Sequence, residues 1–306
     1  MIPFFKLFEM KKYSYRCFRC AVGFIVSVVV LTLAVACSDE SATDNVPVIQ
    51  LIPDNGSLIS DTTLPPGGSV PVTIRALGGG SNITYFGIRM FDGTTHYVLD
   101  SGMNAASLNF NQILYKGNSP VEEWTFVMMN HDRQKASVTL TIGKKNVTGW
   151  GAISTLDHLE LGAQSNMTAG GFLSMPAGEV YNYAQAAANQ AGIDMIYYYG
   201  EYEATLSSPG ESDAPAYFPD LASWSTKNET RYDTTSLSEQ DFYRAFNDSL
   251  LIVSYEPVNG KRKAKNLTAG MVVAFRTQSG KIGLAFIKNV IPGAEGKLEC
   301  AVKIQK

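Results

Sequence analysis

Histidine and cysteine, the side chains that most often bind zinc in proteins, are scarce in this sequence. Three histidines and four cysteines occur among 306 residues. His96, His131 and His158 stand far apart, with no H-x-x-x-H or H-E-x-x-H spacing, so the sequence gives no support to a zinc site. We predict neither a metal nor a cofactor.

Motifs of nucleotide-binding and hydrolytic enzymes are also missing. The chain has no G-x-S-x-G elbow, no Walker loop and no G-x-G-x-x-G fingerprint. The paired carboxylates of a glycoside hydrolase have no fixed spacing in sequence, so a glycan-active enzyme is kept as a minor alternative. The absence of a recognisable catalytic set predicts that the protein is not an enzyme.

The chain has no excess of positive charge. Its formal net charge is −3, and five of its basic residues lie near the N-terminus, at Lys6, Lys11, Lys12, Arg16 and Arg19. The remaining chain is therefore more acidic than the whole. A net-negative chain without a long basic stripe argues against nucleic acid as a partner.

The apolar run from Ala21 to Val35 is shorter than the ~20 residues of a membrane-spanning helix. It follows the basic leader and precedes small residues and Cys37, an order typical of a bacterial lipoprotein signal peptide. We expect residues 1–36 to be removed, Cys37 to be lipidated and residues 37–45 to form a tether. A single membrane anchor and an ordinary secretory signal are the alternatives.

Removal of this leader would leave Cys300 as the one unmodified cysteine, because Cys17 and Cys20 lie within the leader. No intrachain disulfide could then form. Cys300 lies in an alternating strand pattern, which predicts a small buried apolar side chain.

Residues 46–143 show the period-2 pattern of half-buried strands. Four sets of apolar residues alternate with polar or small ones: Val70, Val72, Ile74 and Ala76; Phe86, Ile88 and Met90; Trp124, Phe126 and Met128; Val138, Leu140 and Ile142. Asp92-Gly93 is typical of a hairpin turn. This rhythm predicts an antiparallel β-sandwich. The segment, which closes with WTFVMMNHDRQKASVTLTI, resembles the Ig-like (PKD-like) domains that follow the lipid anchor in many Bacteroidota surface proteins.

The polar segment 143–151 (GKKNVTGWG) is the predicted boundary of a second domain, residues 150–306. We expect an α+β fold there, with a mainly antiparallel sheet and two short helices. Strands are predicted at 193–199, with Ile193, Met195, Tyr197 and Tyr199 on one face, and in a meander at 271–277, 281–291 and 297–304.

Two segments predict the helices. Residues 179–190 are rich in alanine, and Gly192 stands where a C-cap would. Ser236 and Glu239 form an S-x-x-E capping box, and Phe242 and Phe246 follow at i,i+4 spacing, which predicts that both face a core.

The second domain also carries a resemblance. GEVYNYAQAAANQAGIDMIYYYG, ATLSSPG, SEQDFYRAF and GMVVAFRTQSGKIGLAFI together resemble a group of uncharacterised Bacteroidota lipoproteins. The resemblance implies a shared fold and a cell-surface location, and it implies no activity. Residues 38–40 (SDE) resemble the acidic tag that sends such lipoproteins to the outer face of the outer membrane.

A long loop is predicted at 206–225, where three prolines occur without clear periodicity, and long loops in compact domains are often functional. Exposed aromatic rings beside carboxylates suit sugar recognition. The candidate ligand-binding residues are Trp224, Tyr217, Phe218 and Tyr202. One alternative is that these rings hold the loop onto a sheet, and another is that the nearby carboxylates bind Ca²⁺.

Two further features attract attention. Asp194 is the one acidic residue in a strongly apolar strand pattern, which predicts a structural hydrogen bond to a loop or a helix N-terminus. Lys261, Arg262, Lys263 and Lys265 form a basic loop, either a solvated turn or a contact for an anionic glycan.

Together these patterns favour a cell-surface lipoprotein that acts as a non-enzymatic binding module for glycan. Its expected partners are the outer membrane, through the lipid anchor, and a glycan or another surface protein. The alternative is a structural or assembly subunit of an outer-membrane complex, which would contact another protein through a free sheet edge.

Overall fold

The computed structural model describes residues 46–54, 56–201 and 203–306. The described chain is mostly β-sheet, with four sheets and three short α-helices. The predicted leader, Cys37 and the tether lie outside the described residues, as does Tyr202. No helix in the described part of the chain is long and apolar enough to cross a membrane.

The first eight strands form two sheets. Their bounds are β1 Val48–Ile52, β2 Thr62–Leu64, β3 Ser69–Leu77, β4 Ile83–Phe91, β5 Thr95–Ala105, β6 Ser107–Tyr115, β7 Val121–Asn130 and β8 Lys135–Lys144. One sheet has the order β1-β3-β6 and the other β2-β8-β7-β4-β5. All of these pairs are antiparallel except β2 with β8, which is parallel.

The apolar side chains of these strands form one core between the two sheets. The alternating residues predicted from sequence belong to it, most of them fully buried: Val72, Ile74, Ala76, Phe86, Ile88, Met90, Trp124, Phe126, Met128, Leu140 and Ile142. The predicted hairpin is confirmed, since β4 and β5 pair across the Asp92-Gly93 turn. Gly93 has φ +115°, a conformation that favours glycine.

The rest of the described chain holds ten strands and the three helices. Their bounds are β9 Ile153–Gly162, β10 Phe172–Ser174, β11 Glu179–Tyr181, α1 Tyr183–Ala188, β12 Met195–Tyr199, β13 Ala204–Ser207, β14 Arg231–Thr234, α2 Glu239–Arg244, α3 Ser249–Ser254, β15 Lys263–Ala264, β16 Val272–Arg276, β17 Ile282–Ile291 and β18 Lys297–Gln305. They form two antiparallel sheets with the orders β11-β10-β12-β13-β15 and β14-β16-β17-β18-β9.

These two sheets share a core, and different elements cover the outer face of each sheet. Met195 and Tyr197 of β12 pack in the shared core with side chains of both sheets. The outer face of the β14–β9 sheet packs against α2 and α3. The outer face of the β11–β15 sheet packs against α1 and the long connection between β13 and β14. Cys300 lies fully buried in the shared core, as predicted, and burial raises the pKa of its thiol to about 12.

The first predicted helix is shorter than the sequence suggested. Residues 179–181 form β11 and pair with β10, so the helix begins only at Tyr183. Asn182 caps it through a reciprocal capping box with Gln185. The predicted C-cap at Gly192 is wrong, because the helix ends at Ala188 with Asn189 as its C-cap, and Gly192 closes a separate 3₁₀ turn.

The second predicted helix is displaced by two residues. Its capping box joins Ser238 and Asp241 rather than Ser236 and Glu239. Phe242 is buried as expected, but Phe246 lies beyond the helix end and is 85% exposed, so its predicted core position is wrong. The sequence did not predict α3, which makes three short helices instead of two.

Strand β8 ends at Lys144 and β9 begins at Ile153, so the segment predicted as a boundary connects the two pairs of sheets. Within the described residues, no sheet contains strands from both sides of this connection. The described residues nevertheless belong to one compact unit. The division into domains 46–143 and 150–306 stays a prediction.

Candidate functional site

The long connection between β13 and β14 is held firmly against the neighbouring sheet. The Asn228 side-chain amide donates to the backbone carbonyls of Ala191 and Ile193, each at 2.9 Å. The backbone N–H of Ser225 donates to the side-chain carbonyl of Gln190 at 2.9 Å. The connection contains 3₁₀ turns at Ala214–Ala216 and Pro219–Ser223, and so it is long, as predicted, and also folded.

Two of the predicted ligand-binding rings lie in an apolar cluster. Trp224 is 6% exposed and Phe218 is 8% exposed. Their ring centroids lie 5.8 Å and 4.8 Å from that of Phe172 on β10. These rings hold the connection onto the sheet, which was the alternative interpretation, and they leave little ring surface free for a ligand.

Tyr217 is half-buried and differs from these two rings. It stacks on Tyr198 of β12, with ring centroids 3.9 Å apart and planes at 11°. The fourth candidate, Tyr202, falls outside the described residues.

A cavity of about 390 Å³ opens beside Tyr217 and Phe218, and we call it the aromatic pocket. Its wall is built from three stretches, which are the β9–β10 turn, the start of α1 and the first 3₁₀ turns of the long connection. Its lining includes Met167, Tyr183, Tyr217, Phe218 and Asp220. The volume is in the range of small-ligand sites.

Side-chain amides fix the wall of the aromatic pocket. Gln164 bonds the backbone of Tyr199 in both directions, donating to its carbonyl at 2.8 Å and accepting from its N–H at 2.9 Å. Asn166 accepts from the N–H groups of Thr168 and Ala169, each at 2.9 Å. The wall is therefore preorganised before any ligand arrives.

The groups left to meet a ligand are a tyrosine, a carboxylate and an apolar rim. Tyr183 is half-buried, and burial together with the neighbouring Asp220 carboxylate raises the pKa of its phenol. The phenol therefore stays protonated and able to donate near neutral pH. Asp220 is exposed and can accept from ligand hydroxyls, and Met167 at the rim is 96% exposed.

Sequence reasoning missed most of this pocket. Tyr183 lies in the alanine-rich segment predicted only as a helix, and Gln164, Asn166 and Met167 lie in a turn more than forty residues earlier than Tyr217. The glycines at 170 and 171 were the available signal, because close backbone approach at such positions often accompanies a site. A Cβ at Gly170 would lie 2.1 Å from the Tyr181 carbonyl oxygen.

The basic loop borders a cavity of about 720 Å³. Three of its four cations are already paired with carboxylates: Arg262 with Glu229, Lys263 with Asp213 and Lys265 with Glu203. Such pairing leaves little net charge to attract an anionic glycan.

Asp194 lies at the wall of a smaller cavity, about 180 Å³, which also contacts Lys281. Its carboxylate accepts from the N–H of Met175 at 3.2 Å and from the amide of Asn228 at 3.5 Å. Burial raises its pKa to about 6, although both hydrogen bonds and the charge of Lys281 act to lower it. The predicted hydrogen bond to a loop is confirmed.

No group of three or more His, Cys, Asp or Glu side chains among the described residues could hold a metal ion. The arrangement in the aromatic pocket suits reversible binding of a hydroxyl-rich ligand, because it combines ring surface, a carboxylate and a phenol donor.

No family model and no curated protein matches the chain. Among solved structures, the chain is similar to the fibronectin(III)-like modules of Clostridium thermocellum CbhA, at 10% identity and a TM-score of 0.24. The match covers 75% of this chain and 85% of that chain. Similarity at a TM-score this low does not establish a shared fold or a shared function.

Proposed function

We propose that the protein is a surface lipoprotein that acts as a non-enzymatic binding module for a glycan. The observation that supports this most is the aromatic pocket, where the half-buried rings of Tyr183 and Tyr217 meet the exposed carboxylate of Asp220. Sugars present flat apolar faces to aromatic rings and hydroxyl groups to carboxylates, so the three side chains match both parts of a sugar ring.

The proposal includes a location and an architecture. Cys37 carries the lipid, which holds the chain on the outer membrane with its folded part facing the cell exterior. Residues 46–143 form an Ig-like β-sandwich that acts as a spacer, and residues 150–306 form an α+β domain that carries the pocket. The support for the location is the order of basic leader, apolar run, small residues and cysteine.

Binding is tested with a glycan array on the native, detergent-solubilised protein, followed by titration calorimetry with the strongest glycan. Tyr217→Ala and Tyr183→Ala should each weaken binding about tenfold, the equivalent of one lost ring contact. Tyr97→Ala is the matched control, because Tyr97 is an exposed tyrosine on β5. An array without selective signals, or pocket variants that bind like the wild type, would overturn the proposal.

Trp224→Ala separates binding from folding. Its ring is buried against Phe172, so we expect this change to lower the free energy of unfolding by about 3–5 kcal/mol. Tyr183 and Tyr217 also pack against the apolar cluster around Phe172, but only in part. Their alanine variants should therefore lower the free energy of unfolding by less than Trp224→Ala does, about 1–2 kcal/mol, and stay folded in the binding assay.

The location is tested separately, by intact mass and by detergent partitioning. Wild-type protein should carry acyl chains at Cys37, and Cys37→Ala should accumulate unprocessed. If Cys37→Ala is processed normally and still partitions with detergent, the lipoprotein part of the proposal fails while the binding part stands.

A further inference from the structure

Strand β6 leaves one side of its backbone without a partner among the described residues. It is the last strand of the sheet β1-β3-β6 and pairs only with β3, in regular register along all nine of its residues. An edge strand of this kind presents unpaired N–H and C=O groups to other chains.

The hydrogen bonds at both ends of β6 show which residues face outward. Gly78 donates to the carbonyl of Ala106 at 3.0 Å, and Lys116 donates to the carbonyl of Gly68 at 2.8 Å. Even-numbered residues therefore direct their backbone groups toward β3. Because the direction alternates along an antiparallel strand, the free edge is formed by Ser107, Asn109, Asn111, Ile113 and Tyr115.

This edge lacks the features that usually protect against strand pairing. Natural edges carry charges, prolines or bulges, whereas residues 107–115 contain no charged residue and no proline. Strand β5, the edge of the neighbouring sheet, is different: it carries Asp100 and shows two register shifts against β4. Strand β1, at the far edge, has only five residues.

We propose that β6 pairs in antiparallel fashion with β6 of a second copy of this chain, centred on Asn111. The two three-stranded sheets then join into one sheet of six strands. Asn111 lies opposite itself, and the five outward-facing residues of each copy exchange about ten main-chain hydrogen bonds.

The side chains of β6 fit this symmetric pairing. Two-fold symmetry about Asn111 brings Leu108 of one copy opposite Leu114 of the other, and Asn109 opposite Ile113. Opposed residues are always both even or both odd, so core-facing side chains meet core-facing ones. Leu108 and Leu114 both face the core in the monomer. With no charge on either strand, self-pairing brings no like charges together.

The expected dimer is a weak one. A nine-residue strand is about 30 Å long, and pairing along one edge buries an area at the low end of specific interfaces. Association should therefore depend on protein concentration in the range accessible to sedimentation velocity.

The test is sedimentation velocity of the detergent-solubilised protein over a series of concentrations. We expect a monomer–dimer equilibrium for the wild type. Asn111→Lys and Asn111→Glu should each raise the dimer dissociation constant about tenfold or more, because each variant places two like charges face to face. An equimolar mixture of the two variants should dimerise again.

Thr95→Lys is the control, because it adds the same charge to the exposed start of β5 and should leave the dimer intact. Melting temperatures show whether each variant is folded. A wild type that stays monomeric up to its solubility limit would overturn the proposal. So would a dimer unaffected by Asn111→Lys, a mixture that does not restore association, or a β6 edge found occupied only by a different protein.

Discussion

Asp194 illustrates how one buried side chain can set a pH dependence. Its carboxyl has a pKa of about 6 in the folded protein, compared with an ordinary value of 3.8. The folded state therefore holds this proton more tightly than the unfolded state does. The stabilising contribution of the proton is complete at pH values below the unfolded pKa, and it is lost as the pH rises through the folded pKa.

We expect this group to lower the free energy of unfolding by about 2–3 kcal/mol between about pH 4 and pH 7. Asp194→Asn is neutral in both states and should remove that part of the slope. Urea denaturation of both proteins across this range makes the comparison. Burial also raises the pKa values of Asp233 and Glu256. Both residues remain in both proteins, so their contributions to the pH dependence cancel in the comparison. Parallel stability curves for the two proteins would contradict the expectation.

The residue type of Asp194 was enough to predict that its carboxylate has a hydrogen-bond donor. The residue type of Trp224 was not enough to predict whether its ring is exposed. A carboxylate in an apolar strand must find a donor wherever it lies, so sequence alone predicts the bond. A tryptophan in a polar loop can either contact a ligand or pack into a core. The packing of Trp224 against Phe172, fifty-two residues away, decides between these.

At the scale of elements, α2 shows how a motif can predict a helix and misplace it. Ser236-x-x-Glu239 and Ser238-x-x-Asp241 both fit a capping box. The structure uses the second, where the Asp241 carboxylate accepts from the Ser238 N–H at 2.9 Å. A shift of two residues turns a helix by about 200°. With the helix ending at Arg244, the i,i+4 relation between Phe242 and Phe246 no longer holds.

This difference gives a direct test. Ser238→Ala should lower the free energy of unfolding by about 1 kcal/mol, because it removes one side of a reciprocal cap. Ser236→Ala, only two residues earlier and exposed, should change it by less than about 0.5 kcal/mol. Urea denaturation of both variants gives the comparison. Equal losses in the two variants would mean that the cap at Ser238 does not form in solution.

Strands were easier to predict where one face is buried. The period-2 pattern marks β3, β4, β7 and β8 because polar residues occupy their outer face. In β12 both faces are covered. Met195 and Tyr197 face the core between the sheets, while Ile196 and Tyr198 face the apolar cluster around Phe172. The alternation then disappears from the sequence, and the single predicted face gives only part of the packing. Ile193 was predicted on the same face as Met195, and this is wrong, because Ile193 precedes the strand and packs in the opposite cluster.

At the scale of the whole molecule, the aromatic pocket depends on a long-range contact that no local pattern contains. The turn 163–171 meets residues 217–220 only because β10 and β12 are neighbours in one sheet and the long connection folds over them. Composition drew attention to the aromatic rings of the second half of the chain. It could not predict which rings the core would use.

The two pairs of sheets also meet at a polar and aromatic contact. Arg276 of β16 lies over the ring of Tyr115 at the end of β6, 3.3 Å from the ring centroid. Nearby, the N–H of Asn118 donates to Glu256 at 3.2 Å. These contacts tie residues 115–118 to the second pair of sheets, and the described chain forms one compact unit. We therefore expect both pairs of sheets to unfold in one transition.

Arg276→Ala should weaken this coupling, because a partly desolvated cation–π contact contributes about 1–2 kcal/mol.

Trp124 is buried in the first pair of sheets and Trp224 in the second, so the fluorescence of each reports on the unfolding of its own pair of sheets. In a Trp150→Phe background, Trp224→Phe and Trp124→Phe leave one reporter each. Fluorescence-detected urea unfolding should give coincident midpoints with Arg276 present and separated midpoints in Arg276→Ala. Arg75→Ala, an exposed arginine on β3, is the control and should keep the midpoints together. Coincident unfolding midpoints in Arg276→Ala would contradict the prediction, because the two pairs of sheets would then remain coupled without this contact.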